Sequence, residues 1–224
     1  MATPRVVSVN VGRPRTVNWA GRPVTSAIWK RPVVGRVVVE GVNLNGDDQA
    51  DRRVHGGPDK AIYAYAAEDY AWWSTELAVH LEPGTFGENL TTDGMDLGGC
   101  VIGQRWHVGT AVLEVAQPRE PCFKLGMRMG DAEFVDRFGA SRRAGAYLRI
   151  VERGDIGAGD PIRVGAPPAH GLTVDDLVGV SPDASLELLQ RIESIGDVPE
   201  SWRALARRRL DRMRRRNRVT DELG

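Results

Sequence analysis

The sequence predicts a mainly β domain followed by a small helical one. Up to Ala166 the apolar residues fall in short β-branched runs punctuated by Gly and Pro. Many short strands with turn signals between them indicate a barrel or sandwich rather than a parallel α/β sheet. Beyond Gly171 the apolar spacing turns helical. Between the two, Ala166-Pro167-Pro168-Ala169-His170-Gly171 has the composition of a linker. The expected bounds are 1–165 for the β domain and 170–224 for a three-helix domain.

Taken in order, Val6–Val11 is β-branched and alternating, and Val33–Val39 repeats the pattern. Ala61–Tyr65, Trp106–Val108, Ala111–Val115, Leu148–Val151 and Pro161–Val164 complete the strands. Ala67–Leu77 carries early acids and an aromatic face, as an amphipathic helix should, and Asp131–Phe138 reads as a shorter one. Thr173-Val174-Asp175-Asp176 resembles a helix-start capping pattern. Asp183 is placed to cap a helix over Ala184–Ile195, and Pro199 suits the first turn of a third. There Trp202, Leu205, Leu210 and Met213 share one face while arginines take the other. Three such helices bury little core alone, so they are expected to pack on the β domain or on another subunit.

A chain of 224 residues, 42% hydrophobic and 27% charged, has the size and composition of one soluble globular domain with a small appendage. No apolar run reaches the ~18 residues that span a bilayer. Met1-Ala2-Thr3-Pro4-Arg5 lacks the apolar stretch of a signal peptide, so a cytoplasmic protein is expected. Cys100 and Cys122 make no disulfide framework and are too few for an iron–sulfur cluster. The net charge is zero, but residues 200–224 hold nine Arg against four acids, leaving a mildly acidic body and a basic tail.

Three segments carry chemistry. In Gln117-Pro118-Arg119-Glu120-Pro121-Cys122-Phe123-Lys124-Leu125 two prolines stiffen the approach to a thiol, against ordinary strand or helix. Arg119 and Lys124 flank it, and neighbouring cations favour the thiolate that serves as nucleophile or metal ligand. The plain alternative is a buried structural Cys. In Gly46–Ala61, Gly56-Gly57 permits close approach of backbone to a ligand, Pro58 stiffens the exit, and Arg52, His55 and Lys60 add polar groups. Such a loop suits an anion, or else it is a polar hairpin turn. Phe86-Gly87-Glu88-Asn89-Leu90 offers the amide of Asn89 as donor and acceptor, or else is a turn.

Other chemistries fare worse. His55, His80, His107 and His170 show no paired-ligand spacing, and no GxGxxG, P-loop or GxSxG element occurs. Cys100, without flanking cations, reads as packed structure. The arginine tail has no aromatic residue between its cations after Trp202, which argues against nucleic acid.

Together GD-x-QAD-x-x-x-HGGPDKA, FGENL and QPR-x-PCFKL resemble the MOSC domain family, and most closely its YiiM-like branch. The resemblance runs from about Val6 to the C-terminal helices, and Thr25-Ser26-Ala27-Ile28-Trp29-Lys30 resembles the family's early SAI-x-K element. It implies a MOSC-type β-barrel, a C-terminal three-helix domain, and the molybdenum cofactor (molybdopterin). A family-level association with pyridoxal phosphate comes with it. Carried over, Cys122 is the metal ligand and catalytic residue. Ser26, Lys30, Arg52, His55, Gly56, Gly57, Lys60, Asn89, Arg119 and Lys124 are the cofactor-binding residues. The implied reaction reduces N-hydroxylated compounds, hydroxylamines and N-hydroxylaminopurines, to amines, with electrons from a separate reductase. The alternatives are a persulfide carrier using Cys122 and a non-catalytic cofactor- or nucleic-acid-binding module. The oligomeric state stays open, with a homodimer as one option.

Overall fold

The computed structural model describes residues 3–49, 56–180 and 184–223, the side chains of 217–223 excepted. Its strands are β1 (Arg5–Val11), β2 (Arg15–Trp19), β3 (Arg22–Ser26), β4 (Arg31–Pro32), β5 (Arg36–Glu40), β6 (Asn43–Leu44), β7 (Ile62–Ala66), β8 (Leu90–Asp93), β9 (Arg105–Val108), β10 (Ala111–Pro118), β11 (Ala146–Glu152), β12 (Gly154–Gly157) and β13 (Ile162–Val164). The helices are α1 (Ala67–Leu77), α2 (Phe123–Met129), α3 (Phe134–Ser141), α4 (Val174–Val178), α5 (Leu186–Ser194) and α6 (Glu200–Leu223).

Eight strands form the main sheet in the order β13-β9-β10-β11-β7-β8-β1-β4. Every pair is antiparallel except β7–β8, which α1 connects as a crossover. The sheet does not close into a barrel. Strand β1, beside the β4 end, meets the β13 end where Arg5 bridges Pro161, with Ile162 N donating to Pro4 O (2.7 Å), Val6 N to Asp160 O (2.9 Å) and Gly159 N to Val6 O (2.8 Å).

Strand β7 explains the layering. Its five residues are all buried, because successive side chains enter opposite cores. Ile62, Ala64 and Ala66 join the larger apolar cluster, while Tyr63 and Tyr65 enter an aromatic one with Tyr70, Trp73, Phe86, Phe134 and Phe138. The C-terminal helices share the larger core: Leu177, Leu189, Ile192, Trp202, Ala206 and Leu210 are buried in the same cluster as Trp106, Leu113 and Leu148. Trp202 also donates from Nε1 to Gln117 Oε1 of β10 (2.7 Å). Met213 stays exposed, so the apolar face of α6 stops contributing near Leu210.

Several local expectations shift. Val33–Val39 is not one strand: Val34 is fully exposed, the chain turns at Gly35 (φ +90°), and β5 begins at Arg36. Residues 131–138 contain only the start of α3, which runs on to Ser141. The approach to Cys122 is irregular as expected: Arg119–Cys122 lie in neither strand nor helix. Pro118 ends β10, and Cys122 is the N-cap of α2, with the prolines outside both elements or at their edge. Thr173 and Asp176 form the reciprocal capping box. Asp183 lies outside the described residues, and Ser185 caps α5 instead by accepting from Leu188 N (3.1 Å).

Because the helices and the sheet share one core, Trp202→Ala should lower stability by roughly 3–5 kcal/mol within a single cooperative urea transition. Two separate transitions would show that the helices unfold on their own.

Candidate functional site

Cys122 lies where the exit of β10 meets α2. Its backbone is extended (φ −137°, ψ 168°), and its thiol, half-buried, lines a cleft. Ser26, Ala27, Ile28 and Lys30 form one wall, and Asp48 and Gln49 another. Arg119 and Lys124 flank the thiol, and Tyr147 closes the back from β11. Gly87 completes the lining at φ +77°, where a Cβ would sit 2.7 Å from Ile28 Cγ1, so only glycine fits.

The charges are unevenly balanced. Lys30 and Asp47 form a buried pair, their side chains 9% and 2% exposed. Burial pushes the Lys30 ammonium down, and the adjacent Asp47 carboxylate opposes that. Asp47 also accepts from Gly12 N (2.7 Å) and from Asn89 Nδ2 (2.9 Å). Arg119 is different. It is 8% exposed, donates to Phe86 O, and lies over the rings of Tyr63 (5.0 Å) and Phe138 (5.8 Å). Among the described residues no carboxylate forms an ion pair with it. A guanidinium stays charged, so the cleft holds a net cation beside its thiol. Burial raises the Tyr147 hydroxyl, which therefore stays protonated and able to donate.

The structure thus brings Ser26, Lys30, Arg119, Cys122 and Lys124 together. Asn89 sits behind them. Its side chain accepts from Tyr63 N (3.1 Å) and donates to Asn10 O (3.2 Å) and to Asp47, which anchors Lys30. Gly57 (φ +97°) leads into a 3-10 turn, Pro58–Lys60, and the Lys60 carbonyl accepts from Gln49 Nε2 (3.2 Å). Gly56, Gly57 and Lys60 do not line the cleft, and Lys60 connects to it through Gln49. Arg52 and His55 lie outside the described residues. Asp47, Asp48 and Gln49 were within reach of sequence reading, inside the GD-x-QAD element, but went unassigned. Tyr147 had no signal at all.

Glu88, next to Asn89, is fully buried. Its Oε1 accepts from Tyr70 Oη (2.6 Å), Gly84 N (2.6 Å) and Thr91 Oγ1 (2.8 Å), while Oε2 has no partner. Burial raises its carboxyl, and the donors from Tyr70, Gly84 and Thr91 offset part of that. The second thiol, Cys100, is also buried. Its Sγ lies 3.3 Å from Asp96 O, and burial, with Asp96 nearby, pushes it up to about 12. Among the described residues no three His, Cys, Asp or Glu side chains are grouped to hold a metal, and no helix is long and apolar enough to cross a membrane.

A sheet-rich fold with a thiol at the mouth of a cationic cleft defines the class. The MOSC domain pattern matches residues 51–163. The chain belongs to the MOSC domain family. Uncharacterized protein YflK of Bacillus subtilis (strain 168) is 35% identical over 93% of this chain and 95% of its own. The crystal structure of YiiM from Geobacillus stearothermophilus superimposes with a TM-score of 0.77 at 28% identity, covering 92% of this chain and 99% of that one. These place the chain with the YiiM-like members. A protein of Gibberella moniliformis (strain M3125 / FGSC 7600) named Reductase is 35% identical over 63% of this chain, which matches 26% of that protein.

Two outcomes are expected. Iodoacetamide should label Cys122 and spare Cys100 in the folded protein, and label both in denaturant; native labelling of Cys100 would contradict its burial. A raised carboxyl favours the protonated fold, so Glu88's contribution is complete below its ordinary value of 4.5 and is lost as pH rises through the raised one. Urea stability of wild type minus that of Glu88→Gln should therefore fall with pH above that value, by at most about 1.4 kcal/mol per pH unit. A flat difference would sink the assignment.

Proposed function

We propose that this protein is a molybdenum-cofactor-dependent reductase of N-hydroxylated compounds, converting hydroxylamines and N-hydroxylaminopurines to amines. The observation that carries this reading is the thiol of Cys122 in one cleft with the buried, carboxylate-free Arg119. The donor set fits the group. The cleft offers one soft ligand, whereas a bare ion held by protein needs three or four. A metal here must therefore bring its other ligands with it, as a metal on an organic cofactor does. The relative named Reductase adds support.

Cys122 would be the protein's ligand to the metal. Arg119 and Lys124 would hold the cofactor's anionic groups, and Ser26 and Gln49 would supply polar contacts along the opposite walls. When bound, the cofactor supplies the two-electron chemistry that takes oxygen from an N–OH group and leaves amine and water. The Tyr147 hydroxyl would donate a hydrogen bond into the cleft, and Lys30, fixed by Asp47, would keep its wall in place. The electrons would come from a separate reductase. The same reading puts the protein in the cytoplasm, where a working thiol stays reduced.

Protein from a molybdenum-replete host should carry about one molybdenum per chain by elemental analysis and reduce hydroxylamine with an artificial donor. Cys122→Ser should keep its circular dichroism spectrum and lose activity by more than roughly 100-fold, the upper end for lesions beyond the ligands themselves. Wild-type turnover by this variant would overturn the proposal. Metal-free wild type carrying a persulfide on Cys122, seen by mass spectrometry, would favour a sulfur carrier.

A further inference from the structure

A second cleft lies on the far side of the wall that carries Lys30. It has a volume of about 570 Å³ and is lined by Arg15, Trp29, Arg31, Pro32, Pro83 and Arg128, together with Lys30 and Glu82. Its three arginines come from separate places: the start of β2, the start of β4 and the last turn of α2. The fold has gathered three guanidiniums that the sequence keeps apart.

Among the described residues, Arg15, Arg31 and Arg128 form no ion pair. Glu82 lies 3.0 Å from His80, and the Lys30 ammonium belongs to Asp47. Arg15 stacks on Trp29, with Cζ 4.0 Å from the ring centroid, which orients its planar fork. Arg128 Nε is buried with no hydrogen-bond partner. Burial, and after it the like charges of Arg15 and Arg31, disfavour the Arg128 cation, which Tyr70 and Glu88 offset only in part. A buried donor left unsatisfied is costly, and so is crowding like charges without an ion-pair partner. An anion removes both penalties at once.

We propose that this cleft binds a small organic phosphate carrying at least two negative charges. Guanidinium forks match phosphate oxygens in pairs, and three of them suit a diphosphate better than a lone carboxylate. The shape favours a small molecule over a macromolecule. The charges sit in a concavity walled by Trp29, Pro32 and Pro83 rather than on a broad face, and its volume is that of a ligand site. None of its residues is Cys122 or Lys124, so the inference stands apart from the function proposed above.

The test is titration calorimetry of the full chain with inorganic pyrophosphate at low salt. Saturable binding is expected, weakened at least about 10-fold in the Arg31→Gln/Arg128→Gln double variant and unchanged in Lys124→Gln, which alters the thiol cleft. Two sites in wild type, one of them lost in the double variant, would support the same assignment. Arg15→Gln, at an exposed position, gives a second variant should the double one misfold, and it should also weaken binding. No saturable binding at millimolar pyrophosphate, or equal binding by the arginine variants, would overturn the proposal. So would loss confined to Lys124→Gln.

Discussion

Asp47 accepts hydrogen bonds from Lys30, Gly12 and Asn89 inside a nearly dry part of the molecule. Those donors belong to the chain just past β1, to the segment between β3 and β4, and to the start of β8. Burying two charges is costly, and the cost is offset only when every lone pair and proton has a partner. Each Asp47 oxygen takes Lys30 and one further donor, so the pair holds the loop that carries Asp48 and Gln49 against the Ser26–Lys30 wall. The cleft is therefore shaped by a buried ion pair that a ligand need not touch. Lys30 and Asn89 serve the site as framework, and Arg119 and Lys124 are the cations of the cleft lining outside that buried pair.

Strand β7 and the Glu88–Asn89 pair extend that framework into the two cores. Asn89 pairs with the backbone of Tyr63 on both sides, and Glu88 gathers Tyr70, Gly84 and Thr91 around one oxygen. Phe86, at the head of the same motif, packs on Tyr65 and Tyr70 and accepts from Arg119. Five consecutive residues thus join the aromatic core, the sheet, and the group beside the thiol. Gly87 belongs among them for a local reason, since its neighbour Ile28 leaves no room for a side chain.

What could be read from the sequence follows from which signals are local. Strands β1, β7, β10 and β11 announced themselves because their apolar residues repeat at strand spacing. The β2–β3 hairpin did not: its residues are mostly exposed, and its turn uses Ala20 and Gly21 at positive φ rather than an Asn-Gly pair. Strand β8 is buried but reads Leu-Thr-Thr-Asp, and only its partners β1 and β7 make it a strand. At the site, Arg119, Cys122 and Lys124 were legible because one short segment holds all three. Tyr147 was not, because a tyrosine in a strand does not reveal which cavity its sheet will border. Asp47 needed the fold to bring it Lys30.

The junction of the two sheet ends also constrains how the chain is made. Strand β1 pairs with β8, roughly eighty residues downstream, and Arg5 meets Pro161 about 150 residues downstream. At a synthesis rate of about 5–20 residues per second, β1 waits roughly 8–30 s for the last of its partners. For about the first half of that interval, until β8 is made, its Val6 and Val9 side chains, destined for the core, have no partner strand beside them. Long-range pairing of this kind slows folding and leaves edges exposed. Strand β1 is therefore made before the other twelve and is among the last to be secured, and a newborn chain depends on whatever shields it in the meantime.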